Sequence, residues 1–139
     1  MSKAKKNPNV IHASGKRKTA IARATILKNG TGRILVNGLA LDHYGSEFTR
    51  MRILEPLLLA GVQAGKLDVS VKISGGGLTG QADAARLAIG RALVELDAKL
   101  KPVFLEYDRQ LLVADVRRKE VSKPNSLGAA RSKKQKSYR

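Results

Sequence analysis

The stretch VSVKISGGGLTGQADAARLAIGRAL, residues 69–93, has a spacing that could handle phosphate. Gly75, Gly77 and Gly80 fit G-x-G-x-x-G, in which glycines let a pyrophosphate approach the backbone where a helix begins. Three features argue against a dinucleotide. The strand leading into the loop alternates apolar and polar residues, whereas a dinucleotide-binding strand is buried on both faces and apolar throughout. The nearest candidate for the ribose-binding acid, Glu106, lies beyond the usual distance of about 20 residues. A chain of 139 residues is also short for both halves of that fold plus a substrate domain. Gly75 and Gly80 have mononucleotide-loop spacing, but Gln81 and Ala82 follow, so the Lys for the phosphates and the hydroxyl for magnesium are absent. Two readings stay open. The loop contacts a phosphate, including one from a nucleic-acid backbone, or the glycines only make a tight strand-to-helix turn.

Other reactive residues are sparse. There is no Cys, which removes disulfides, thiolate metal sites and Cys nucleophiles. His12 and His43 have no metal-ligand spacing, and no cofactor or metal is expected. Asp42, His43 and Ser46 are local neighbours without a nucleophile elbow. Asp83 and Glu95 read as helix-surface charges. No catalysis is expected. The run GKRKTAIAR, residues 15–23, is more pointed: Lys16, Arg17 and Lys18 are consecutive, so in a strand they splay to both faces and offer phosphate contacts at a sheet edge.

The charge balance supports that reading. The chain holds 27 Lys and Arg against 11 Asp and Glu, a net charge of +16, which favours a polyanionic partner. Residues 1–28 carry eight basic and no acidic side chains, whereas residues 29–100 carry eight and seven. Residues 117–139 carry nine basic residues and one acid, with few apolar residues and no period. That stretch cannot bury enough surface to offset its ordering entropy and is expected to be an extended basic tail. Three segments follow: a basic arm at 1–8, a globular domain at 9–116 and the tail at 117–139. No apolar run approaches the ~20 residues of a membrane span, and MSKAKKNPN lacks the apolar stretch of a signal peptide. A cytoplasmic location is the default expectation.

The elements that must position these residues are legible in outline. From Arg17 the residues alternate, with Ala20, Ala22, Ala24 and Ile26 on one face and Arg17, Thr19, Arg23 and Thr25 on the other. Asn29-Gly30 signals a hairpin, with Arg33–Val36 as the returning strand closed by Asn37-Gly38. Residues 43–60 read as helix, with Phe48, Met51 and Leu54 at helical spacing, a kink or restart at Pro56 and a stop at Gly61. Leu67, Val69, Val71 and Ile73 mark a half-buried strand. Thr79 is the expected cap of a helix from about Gly80 to Ala98. Its buried stripe is Ala82, Ala85, Ile89, Ala92, Leu93 and Leu96. Asp83 with Arg86, and Arg91 with Glu95, have supportive spacing on its exposed side. Leu100–Tyr107 reads as helix or strand, and Gln110–Ala114 as a short strand.

Taken together, GKRKTAIARA near the start, ILEP at 53–56, GGGLTGQADA at 75–84, DRQLLVADVRRKE at 108–120 and the ending GAARSKKQKSYR resemble one family. It is the ninth protein of the small ribosomal subunit, called the sixteenth in eukaryotes. The likeness runs in order from about Val10 to Arg139. The ending and DRQLLVADVRR look like the archaeal and eukaryotic branch, and the short chain points to an archaeal member. The resemblance implies an α+β fold. It would be a two-layer α/β sandwich like the second domain of ribosomal protein S five, with a left-handed crossover and a long extended basic tail. It also implies a structural role in the subunit head. The body would lie on small-subunit rRNA beside neighbouring head proteins, without membrane or homo-oligomer, and the tail tip would approach the anticodon stem-loop of the peptidyl-site tRNA.

The expected rRNA-binding residues are Lys16, Arg17, Lys18, Gly75, Gly76, Gly77, Gln81, Arg117, Arg118, Lys119, Arg131, Lys133 and Lys134. Those expected near tRNA are Lys136, Tyr138 and Arg139. Tyr138 stands where bacterial members have Lys, so a stacking or hydroxyl contact replaces an ammonium there. Val116 stands where many relatives have Pro. The alternative class is a free-standing nucleic-acid-compacting protein, which would sediment with the chromosome rather than with small subunits.

Overall fold

A computed structural model describes residues 9–124 and 130–131. The described residues form an α+β fold with a mixed five-stranded sheet and three α-helices. The strands are β1 (Val10–Arg17), β2 (Ala20–Lys28), β3 (Ile34–Val36), β4 (Leu39–Ala40) and β5 (Leu67–Ser74). The helices are α1 (Glu47–Ala60), α2 (Leu78–Leu96) and α3 (Leu100–Tyr107). The sheet order is β1-β2-β5-β3-β4, leaving β1 at one edge.

The alternation expected of β2 and β5 is what the sheet uses. Ala20, Ala22, Ala24 and Ile26 of β2, with Leu67, Val69, Val71 and Ile73 of β5, are buried on the face that α2 covers. The small residues let α2 lie close. A Cβ built on Gly15 of β1 would sit 2.2 Å from the Ala84 carbonyl oxygen and 2.7 Å from the Ala88 nitrogen, so only glycine fits there. The opposite face of the sheet carries His12, Arg23, Ser70 and Lys72, all exposed.

The basic run starts a strand earlier than the alternation indicates. Arg17 ends β1, Lys18 and Thr19 form the turn with Lys18 at φ 52°, and Ala20 opens β2. The long β1 pairs antiparallel with β2 from Val10↔Leu27 to Arg17↔Ala20. Asn29-Gly30 does not make the expected β2–β3 hairpin. Instead β5 inserts between those strands, antiparallel to β2 and parallel to β3. Loop 29–33 is gathered onto Asp68, whose carboxylate accepts the Thr31 and Arg33 N–H groups at 2.7 and 3.1 Å. Asn37-Gly38 is the true tight hairpin, joining β3 to β4 with φ of 52° and 85°, as a two-residue primed turn requires.

Helix α1 starts later than expected, at Glu47. The Ser46 hydroxyl accepts the Thr49 N–H, and the helix runs through Pro56 without a restart to Gly61 at φ 66°. Its buried face is Thr49, Ile53, Pro56 and Leu57, while Phe48 and Met51 face outward. Thr79 does not cap α2; Gly77 is the N-cap, and Thr79 lies inside the helix. Leu100–Tyr107 is helical and seals the core with Phe104. Gln110–Ala114 is not a strand. Arg109–Leu111 forms a single 3₁₀ turn, with Leu111 buried.

Candidate nucleic-acid interface

The β1–β2 turn and the chain leaving the body converge. Arg17 is the last residue of β1, and its guanidinium lies 2.8 Å from Asp115 and 3.7 Å from Asp83 on α2. Asp115 also accepts the Arg117 backbone N–H at 2.8 Å and its guanidinium Nε at 2.9 Å. The Arg117 side chain and backbone together hold the Asp115 carboxyl well below the usual carboxylate range. This double anchorage fixes where residues 117–119 leave the fold. Residues 117–123 are exposed and form neither helix nor strand.

The result is a groove of about 950 Å³ lined by Lys16, Lys18, Thr19, Ile21 and the run Arg117, Arg118 and Lys119. Five cations meet there from segments about a hundred positions apart in the chain, and no carboxylate lines the groove. Such a trough suits a polyanion whose charges recur along a backbone.

The glycine loop lies next to this groove, and its geometry explains the glycines. Gly75 and Gly76 have φ of 74° and 68°. Added Cβ atoms there would lie 2.6 Å from the Thr19 carbonyl oxygen and 2.9 Å from the Ala20 Cβ. Glycine is thus required by a strand-to-helix turn packed under the β1–β2 turn. Gln81 reinforces it: its amide donates to the Gly75 carbonyl at 3.1 Å and accepts the Tyr44 hydroxyl at 2.8 Å. A smaller hollow of about 320 Å³ lies between Lys18, Gly76, Gly77 and Thr79, but Asp83 lines it too. Arg17 lines it as well, and the Asp83 carboxylate is already paired with Arg17 and Arg52. The sheet is mixed and one-faced, so the dinucleotide fold is not built.

The expected site residues therefore separate. Lys16, Lys18, Arg117, Arg118 and Lys119 come together in one groove. Arg17 and Gln81 are bonded within the fold instead of presented outward. Gly76 and Gly77 border the smaller hollow. Arg131 pairs with Glu120, Nε to carboxylate at 2.9 Å. Lys133, Lys134, Lys136, Tyr138 and Arg139 lie outside the described residues, as does arm 1–8.

Two features were not read from the sequence. Asp115 is the first; its signal is the two-residue spacing to Arg117, which lets a carboxylate accept the N–H two positions on. Arg86 is the second. It was expected on the exposed side of α2 beside Asp83, but it is buried and holds Glu55 of α1 at 2.9 Å and Asp108 beyond α3 at 2.8 Å. Burial alone would depress the Arg86 pKa, but the two carboxylates outweigh it and raise it. Asp83 instead meets Arg17 and Arg52. Arg91 donates to the Leu112 and Ser14 carbonyls at 3.0 and 2.9 Å. Among the described residues no His, Asp and Glu cluster could hold a metal ion, and no helix is long and apolar enough to cross a membrane.

Comparison with known proteins agrees with the resemblance. The family described as ribosomal protein S9/S16 matches residues 15–139. A small ribosomal subunit protein uS9 of Methanococcus vannielii is 47% identical over 133 residues, covering 94% of this chain and 98% of that protein. The uS9 protein of Methanothrix thermoacetophila is 49% identical over 132 residues, with the same coverage. Both organisms belong to the archaeal branch to which the chain's ending pointed. By the span of the family match and the level of these identities, the chain belongs to the ribosomal protein S9/S16 family.

Proposed function

We propose that this protein is a non-catalytic constituent of the small ribosomal subunit. Its five-cation groove binds rRNA backbone in the subunit head, and its basic tail continues from Arg117 toward the peptidyl-site tRNA. The groove carries this reading: Lys16, Lys18, Arg117, Arg118 and Lys119 converge without a lining carboxylate. The names of the archaeal relatives support the subunit assignment. The turn at Lys18 and the Asp115 clamp set the groove before RNA arrives, so little ordering entropy remains to be lost on binding.

Filter binding to a transcript of the small-subunit head rRNA tests the groove. Each phosphate contact contributes about −0.7 to −0.9 to the slope of log affinity against log salt. Replacing Lys16, Lys18, Arg118 and Lys119 by Gln is expected to make that slope shallower by about 3. An unchanged slope would refute the groove. Removing residues 136–139 is expected to spare subunit assembly and weaken tRNA binding in the peptidyl site. Loss of assembly on that truncation would refute the role proposed for the tip.

A further inference from the structure

We infer that the uncovered face of the sheet is a second RNA-backbone surface, continuous with the groove and centred on Arg23 and Lys72. The inference rests on the rRNA-binding reading above and extends it to residues outside the groove. Its starting point is a local conflict. Arg23 of β2 and Lys72 of β5 are direct partners across the antiparallel ladder. Both are exposed on the face away from α2. Like charges placed directly opposite one another destabilise a sheet. Among the described residues neither has an ion-pair partner, so the fold itself leaves the repulsion uncompensated.

The surrounding residues fit a polyanion. Ser14 of β1 completes the row with Arg23 and Lys72. The next row holds His12, Thr25 and Ser70, with the His12 ring bonded to the Thr25 hydroxyl at 3.0 Å. These short hydroxyl side chains let a sugar-phosphate chain lie close to the strands and donate to it. A shallow hollow of about 510 Å³ lies over Ser14, Arg23, Thr25, Ser70 and Lys72. The row on the other side begins with Lys16 and Ile21, which also line the groove. A strand held by Arg118 and Lys119 can thus pass Lys16 and continue onto Arg23 and Lys72. The acid on this face of the three strands is Asp68, which is the partner of Leu27 at the far end. Its carboxylate is occupied by the Thr31 and Arg33 N–H groups.

The test uses the full chain and the same head-rRNA transcript. Arg23→Gln with Lys72→Gln is expected to weaken binding about ten- to fifty-fold at 0.1 M salt and flatten the salt slope by about 1.4 to 1.8. Its Tm is expected to equal or exceed the parent's, because the cross-strand repulsion is gone. Lys72→Glu provides a second reading: it builds an opposite-charge pair with Arg23, so Tm is expected to rise while RNA affinity falls. Affinity and stability moving in opposite directions separates a lost contact from a damaged fold. If both sheet variants keep the parent's slope while Lys18→Gln with Arg118→Gln flattens it, the sheet surface is refuted and the groove stands. If none of the variants changes the slope, the rRNA-binding reading fails as well. Poorer incorporation into whole subunits with an unchanged RNA slope would also overturn the inference, and would indicate an acidic protein neighbour.

Discussion

At the residue scale, the basic chemistry of this chain depends on a few carboxylates. Asp115 joins Arg17 to Arg117, Asp83 joins Arg17 to Arg52, and Arg86 holds Glu55 and Asp108. Three Asp residues titrate below their ordinary value. Asp68 does so because the Arg33 and Thr31 N–H groups bond its charged form. Burial pushes Asp108 up, but the Gln110 N–H and Arg86 outweigh it. Asp115 does so through Arg117. A carboxylate held low in the fold stabilises it fully above the unfolded pKa, near ~4, and that stability drains as pH falls through the folded value. Thermal melts are therefore expected to be flat from pH 7 to 5 and to drop steeply below about pH 4. Asp115→Asn is expected to lower Tm at neutral pH and shrink the acid drop. Arg86→Ala strands two carboxylates and is expected to cost about 2–3 kcal/mol in urea unfolding, below the 3–5 of a wholly buried pair because Glu55 and Asp108 keep access to water.

At the element scale, close packing of α2 on β1 and β2 sets the limits. Gly15→Ala would drive a methyl group into the α2 backbone, which cannot step aside as a side chain can. The expected loss is about 3 kcal/mol by urea melt. Gly90→Ala meets the Leu111 carbonyl oxygen at 2.6 Å and is expected to unseat the 3₁₀ turn that leads to Asp115. The alternation of β2 and β5 was readable because one face of each is buried and the other wet. The partnership of β3 with β5 was not, since a turn dipeptide gives the local bend but not the strand that inserts later in the chain. Helix α1 is legible as a helix from its spacing, but its buried face is not, for a related reason. Phe48 and Met51 have helical spacing, yet the buried face is set by Ile53 and Leu57 meeting α2. The 3₁₀ turn at Arg109–Leu111 was mistaken for a strand because a short apolar run has no period of its own. Within the site, the sequence identified the cations of the groove by composition. It could not separate Arg17 from Lys16 and Lys18, because which of three consecutive residues turns inward depends on where the hairpin bends.

At the scale of the whole molecule, a body with nearly balanced charge in its middle carries strongly cationic ends, and the structure draws part of both ends to one side. That arrangement has a colloidal cost. Strand β1 is an eight-residue margin of the sheet, and unpaired margins zip to one another when two copies meet. Among the described residues Arg91 covers one carbonyl of this margin, at Ser14; the net charge of +16 opposes the approach of a second copy. Short polyphosphate added to charge equivalence would cancel the repulsion without shielding β1. Solutions of the free chain are expected to turn turbid near that ratio and clear again in excess polyanion, as light scattering would record. Free chain that meets short polyanions near charge equivalence would reach the same instability, so with β1 at the margin of the sheet it is net charge that holds separate copies in solution.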